Sequence, residues 1–218
     1  MKKSILFLLL AGFILFQNQA FSQGGLLHSS INSGFYMKIG PSIPLGNFKS
    51  YQEYPVPKTI DSTHNYLGAK TGPALDMGFL IYLGPTFAHQ FLRAGIDATF
   101  LTFNFQKTNP SKEGNEENWD YFYYFLGQKF GPVITINPID RLMIDVSYKL
   151  NGYIARYYDN EWGKNFTQNE VSLSIRYRIM LFSMQYNWGK TRFNYFNSEK
   201  PTYNVPVNTL RIMIGIKI

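Results

Sequence analysis

Eight charged residues, Lys38, Asp76, Asp97, Lys129, Asp145, Lys149, Arg176 and Arg211, fall on the polar side of segments whose other side is apolar. Side chains of mixed sign in such positions can neutralise one another, and once enclosed they must, because an unpaired buried charge is far costlier than a paired one. If neighbouring segments pair about their predicted turns, Asp76 and Asp97 lie at similar depth with Lys129 beside Asp97, and Lys149 and Arg176 continue the row. The chemistry this predicts is a salt-bridged network that fills an interior. A proton or ion path through Asp76, Asp97 and Lys129 is the sharper alternative.

Other constellations are weaker. Asp61-Ser62-Thr63-His64 holds the residue types of a hydrolase triad, with His28 and His89 elsewhere in the chain. A hydrolase needs its hydroxyl within hydrogen-bond reach of an oriented imidazole, which consecutive residues of a polar loop seldom provide. No glycine-rich phosphate loop or nucleophile elbow is present. With no Cys and three His in the chain, a structural zinc site has few ligands to draw on. The expectation is a protein without catalytic residues, cofactor-binding residues or metal ligands. Asn165-Phe166-Thr167 fits a glycosylation sequon, but so short a match recurs by chance.

The elements that must position the charges are strands. Leu210, Ile212, Ile214, Ile216 and Ile218 alternate with Arg211, Met213, Gly215 and Lys217, so one face of an extended segment is wholly aliphatic. The same period of two places Leu75, Met77, Phe79, Ile81 and Leu83 opposite Asp76 and Gly78. It sets Leu142, Ile144, Val146, Tyr148 and Leu150 against Asp145, Ser147, Lys149 and Asn151. Val171, Leu173, Ile175, Tyr177 and Ile179 likewise oppose Glu170, Ser172, Ser174, Arg176 and Arg178. Weaker alternation over 34–45, 91–105, 121–136 and 182–193 brings the expectation to about eight strands, although Gln128 interrupts the apolar face of the third of these. Long polar connections at 46–68, 106–119, 158–167 and 190–206 alternate with short ones at 85–90, 137–141 and 180–182.

Lys2 and Lys3 precede an apolar run from Ile5 to Phe16, and Ala20-Phe21-Ser22 supplies small residues for cleavage, the pattern of a secretory signal peptide over 1–22. The remainder, 23–218, reads as one domain. It has no Cys for a disulfide framework or lipid attachment, and no later stretch has the length of a transmembrane helix. Removing Lys2 and Lys3 from the 21 basic residues leaves 19 against 14 acidic ones, about +5 in place of the formal +7. The basic residues are scattered along the strands, which argues against nucleic-acid binding and suits attraction to anionic lipid headgroups.

Aromatic residues are 17% of the chain and charged residues 16%, against about 25% charged in an ordinary soluble domain. A soluble sandwich also alternates, but its polar face meets water and collects Lys, Glu, Asp, Thr and Ser. Here that face carries Gly78, Gly95, Gly127, Gly131, Gly189 and Gly215 beside a few charges of both signs, as an enclosed lumen would. Tyr121 to Phe125, Tyr153, Tyr157, Tyr158, Trp162, Trp188, Phe193, Tyr195 and Phe196 cluster at one set of strand ends, which reads as an interfacial aromatic girdle. A stacking platform for sugars or bases is the alternative.

With its signal peptide, the segment Lys38-Ile39-Gly40-Pro41-Ser42-Ile43-Pro44-Leu45-Gly46-Asn47-Phe48 and the alternating terminal strand, the chain resembles the small OmpA/OmpX-like outer-membrane β-barrels of Gram-negative bacteria. The resemblance spans about the whole mature chain and is architectural. One departure is Ile218 at the end, where such barrels usually carry an aromatic residue. The resemblance implies an all-β, closed, antiparallel, up-and-down transmembrane barrel with a side-chain-filled lumen, eight strands being too few for an open channel. It implies a structural or surface-binding role through long extracellular loops such as 107–120, with a lipid-modifying enzyme or a barrel subunit of a secretion or assembly complex as alternatives. The partners expected are outer-membrane lipid and lipopolysaccharide, the assembly machinery during biogenesis, and an extracellular ligand or envelope protein.

Overall fold

Alternating side chains need a sheet with one apolar and one enclosed face, and a sheet closed on itself satisfies both while leaving no unpaired edge. The computed structural model describes residues 32–48, 68–83, 91–107, 122–139, 141–157, 161–195 and 203–218. Its strands are β1 Gly34–Pro44, β2 Gly72–Tyr82, β3 Leu92–Lys107, β4 Phe122–Ile139, β5 Leu142–Tyr157, β6 Glu161–Tyr177, β7 Met180–Trp188, β8 Lys190–Tyr195, β9 Tyr203–Pro206 and β10 Thr209–Lys217. Neighbours from β1 to β7 pair antiparallel in chain order, β7 pairs with β10, and β10 returns to β1. The ring therefore closes with eight strands. Beyond Gly189 and Val207-Asn208, β8 and β9 pair with each other and prolong β7 and β10 past the ring, and β8 also meets the start of β6.

Side-chain phase follows the sequence closely. In β10, Arg211 and Met213 are buried in the lumen while Leu210, Ile212, Ile214, Ile216 and Ile218 lie on the outer face, Ile214 being 60% exposed. Ile39, Phe100, Phe130, Val146, Leu173 and Met184 are exposed in the same way on six other strands. The weak alternation in β3 has a local cause: an irregularity between Thr99 and Thr102 lets both face inward although they are three positions apart. An extra residue in one strand does this by leaving two residues opposite one. Gln128 keeps the outward phase and is exposed.

Several connections differ from expectation. The segment 158–167 is mostly strand, since β6 begins at Glu161 and pairs with β5 through Tyr157↔Glu161 and Arg156↔Trp162. Strands β8 and β9 occupy much of 190–206. The turn expected at 180–182 lies two residues earlier, at Arg178-Ile179, and Leu181 is a buried lumen residue. At the expected turn 137–141, β4 continues to Ile139. Long connections thus remain between β1 and β2 and between β3 and β4.

The aromatic girdle also needs correction. Tyr123, Phe125 and Tyr153 point inward and are buried, forming a plug with Phe48, Ala69, Ala155 and Val207 at the end away from the short turns. Phe48, in a short 3-10 turn after β1, packs its ring 5.3 Å from Tyr123 and 6.1 Å from Phe125. Tyr124, Tyr148, Tyr186 and Trp188 do lie outward, with Tyr186 and Trp188 stacked at 5.4 Å. Tyr121, Tyr158 and Phe196 lie outside the described residues.

Candidate functional site

The lumen is built from the inward phase of every ring strand, so its chemistry is set by alternate residues on β1 to β7 and β10. Asp76 on β2 receives Lys129 Nζ at 2.9 Å, Thr102 Oγ1 at 2.7 Å, Gln185 Nε2 at 3.0 Å and Arg211 Nη1 at 3.2 Å. Lys129 also donates to Glu170 Oε2 at 2.7 Å, and the other oxygen of Glu170 lies 2.8 Å from Lys149 Nζ. Lys149 in turn reaches Asp97 Oδ2 at 2.9 Å, and Asp97 Oδ1 accepts from the Tyr36 hydroxyl at 2.6 Å. One continuous chain thus runs Arg211, Asp76, Lys129, Glu170, Lys149, Asp97, Tyr36.

A second cluster lies nearer the short turns. Arg176 grips Asp145 through Nε at 2.5 Å and Nη2 at 2.7 Å, the two-point geometry that suits a planar guanidinium and a carboxylate. Arg176 also donates to the Tyr82 hydroxyl at 2.7 Å, and Thr135 donates to Asp145 at 2.5 Å. Lys38 adjoins the first cluster through its ammonium, 4.5 Å from the centre of the Tyr36 ring. Among the described residues the remaining buried charges balance, Lys129, Lys149, Arg176 and Arg211 against Asp76, Asp97, Asp145 and Glu170.

All eight charged residues singled out from sequence are buried. Their expected arrangement in a single row is not what forms. Asp76 pairs across the sheet with Thr102 and Asp97 with Leu80, so the two carboxylates sit four residues apart along β2 and do not share a depth. Lys129 engages Asp76 and Glu170, and it is Lys149 that meets Asp97. The strand irregularity after Thr99 and the stagger of a closed barrel shift depths that parity alone leaves undefined. Sequence reasoning missed Glu170 as the bridge between the two lysines, although it shares the phase of Arg176. It also missed the tyrosines that complete the clusters.

Inward glycines make room for those tyrosines. A Cβ at Gly78 would lie 2.6 Å from the hydroxyl oxygen of Tyr36, its partner across the sheet, and one at Gly127 would lie 2.5 Å from Tyr153 Cβ. The Tyr36 ring folds over the bare backbone of Gly78, as aromatic residues do across from strand glycines. Tyr153 also shares a hydrogen bond with Thr191.

Apolar side chains pack around the polar groups at both ends. Phe48, Tyr123, Phe125, Tyr153 and Val207 form a covering layer at one end, and Leu80, Val133, Met143 and Leu181 pack beside the second cluster at the short-turn end, with Met143 and Leu181 flanking Arg176 across the sheet. Beneath the first layer lies a cavity of about 10 Å³ lined by Asn104, Lys129, Asn151 and Arg211 among others, room for about one water. Asn104 Oδ1, Asn151 Oδ1 and Arg211 Nε are buried there without a protein partner, a set one water can satisfy as donor and acceptor. Among the described residues no three His, Cys, Asp or Glu side chains converge to hold a metal ion. His28, Asp61, Ser62, His64 and His89 lie outside the described residues.

No family model matches the chain. No curated protein matches it either. In overall structure it is similar to Ail, the attachment invasion locus protein of Yersinia pestis, solved in complex with the heparin analogue sucrose octasulfate: TM-score 0.44, 10% identity, covering 85% of this chain and 97% of that one. It is also similar to the outer membrane protein OprG from Pseudomonas aeruginosa, with TM-score 0.38 and 11% identity over 88% of this chain and 97% of the other. The closed barrel of this chain stands on its own strand pairing.

Proposed function

We propose that the chain is an integral barrel protein of a Gram-negative outer membrane, exported by residues 1–22, with a permanently filled lumen and a structural or surface-binding role carried by its loops. The observation that supports this most is the outer face. Large apolar side chains such as Ile39, Phe130, Ile134, Leu173, Phe182 and Ile214 are each 41–63% exposed around the ring. A soluble monomer rarely exposes a contiguous apolar patch beyond a few hundred Å², whereas lipid covers such a belt at no cost. Charged residues meanwhile occupy the inside, the reverse of a water-soluble sheet.

A filled interior directs function outward. Each charge of the two clusters already has a partner and is buried, which favours a stabilising role for the network over conduction or catalysis. Lipid and lipopolysaccharide would contact the belt, the assembly machinery would act during insertion, and an extracellular ligand or envelope protein would meet the connections β1–β2 and β3–β4. The test is cell fractionation with gel mobility. The protein should partition with outer membranes, migrate differently before and after boiling, and give no steady conductance in planar bilayers. Recovery of all of it in the soluble periplasmic fraction would overturn the membrane reading, and stable channels would overturn the sealed lumen.

A further inference from the structure

The ring strands are level at the short-turn end, where Leu92 pairs with Ile136, Ile136 with Ile144, Leu142 with Tyr177 and Tyr177 with Met180. At the loop end they are not. Strands β1, β2, β7 and β10 have 9–11 residues, whereas β3, β4, β5 and β6 have 16–18. At about 3.3 Å per residue and a tilt of about 40°, the short set spans roughly 25 Å, the height of a lipid belt, and the long set roughly 40 Å. One side of the barrel therefore stands above the acyl layer.

That raised side carries an outward aromatic group. Phe105, near the end of β3, lies opposite Tyr124 of β4, and its ring centre is 4.9 Å from that of Phe122 and 5.1 Å from that of Tyr124. Tyr124 is 40% exposed, and among the described residues its hydroxyl has no hydrogen-bond partner. Below it on the same face, Leu126 and Ile154 are also exposed and face each other across β4 and β5. The stacked Tyr186 and Trp188 sit on the nine-residue β7 and mark the edge of the belt. A second aromatic group above that edge is more than an interfacial anchor requires. Lys107 and Arg156, beside the rings, have interactions of their own, so the aromatic surface and not free charge defines the site.

We propose that Phe105, Phe122 and Tyr124 form a stacking surface for the sugar rings of a lipopolysaccharide headgroup. The long-loop end of such a barrel faces outward, and the layer just above the acyl chains there is glycan. The C–H faces of a sugar ring carry small positive charges that suit the negative face of an aromatic ring, and the free Tyr124 hydroxyl can both donate to and accept from sugar hydroxyls. Leu126 and Ile154 connect this surface to the belt, so one molecule lays its acyl chains on the aliphatic face and its sugars on the rings. The site rests on the membrane reading above.

The test compares the full barrel with the double variant Phe105→Leu/Tyr124→Leu, which keeps an apolar surface and removes two stacking faces. The probe is the oligosaccharide left when rough lipopolysaccharide is deacylated and dephosphorylated, so that neither acyl chains nor phosphate contribute. Titrated by saturation-transfer NMR in deuterated micelles, the parent should transfer magnetisation to the sugar C–H protons, and the variant should bind at least about threefold more weakly, the size of one aromatic contact. Tyr124→Leu alone, at an exposed position, should show the loss if the double variant does not fold. No transfer from the parent, undiminished affinity in the folded variant, or equal binding of a linear glucose heptasaccharide overturns the site and leaves the barrel reading intact. A parent whose gel mobility is the same before and after boiling overturns both.

Discussion

Replacing Asp76 by Ala should destabilise the barrel by about 3–5 kcal/mol, the cost typical of removing one partner from a buried ion pair. Asp76 is fully buried and accepts from four side chains, so truncation leaves Lys129 and Arg211 facing each other without the carboxylate that separates them. Denaturant unfolding of the barrel in vesicles measures the loss. Network character has a separate signature. Removing Glu170 and Lys149 together, as Glu170→Gln with Lys149→Met, should cost less than the sum of the single changes, because each single already forfeits the ion pair between them, which the double loses only once. Additive losses would mean that the contacts are packing and not a coupled set.

The second large effect concerns the outer face. Leu173, 41% exposed, lies on β6 opposite Met184 of β7 and Val146 of β5, between the short turns and the outward Tyr148–Trp188 aromatic group. Leu173→Arg should cost about 2–4 kcal/mol in a bilayer, the penalty for a cation at mid-depth on the lipid face of a barrel. On a water-exposed sheet the same change falls within about 0.5 kcal/mol. The inward neighbour Ser172 offers a contrast, since its hydroxyl shares a 2.7 Å hydrogen bond with Ser147 and its environment does not depend on lipid.

What the sequence made legible was parity. Leu210 to Ile218 announced a strand and its outward apolar side, and the phase of Asp76, Asp145, Lys149, Arg176 and Arg211 placed them inside, because side-chain direction in a strand is a local property with period two. Depth was not legible. It depends on register and stagger around a closed ring, and the β2–β3 register that sets Asp97 opposite Leu80, four residues along from Asp76, leaves no signal in the alternation. The inward Tyr153 continues the phase of Asn151 and Lys149, so its place in the plug could have been read from parity. Grouping it with other aromatics by composition concealed this. Phe48 gave no signal, since a residue in a connection has no phase. The polar run from Glu161 looked like a loop because its composition is hydrophilic, yet its backbone pairs with β5.

The central claim is that lipid, and not water, surrounds the ring. The chain has no Cys, so Leu173→Cys provides a unique attachment point for a nitroxide without further engineering. In vesicles, collision with dissolved oxygen should relax that label far more strongly than collision with a water-soluble nickel chelate, and the separate single variants Val171→Cys and Ile175→Cys should give the same result. Stronger relaxation by the nickel chelate at all three positions would place this face in water and contradict the account.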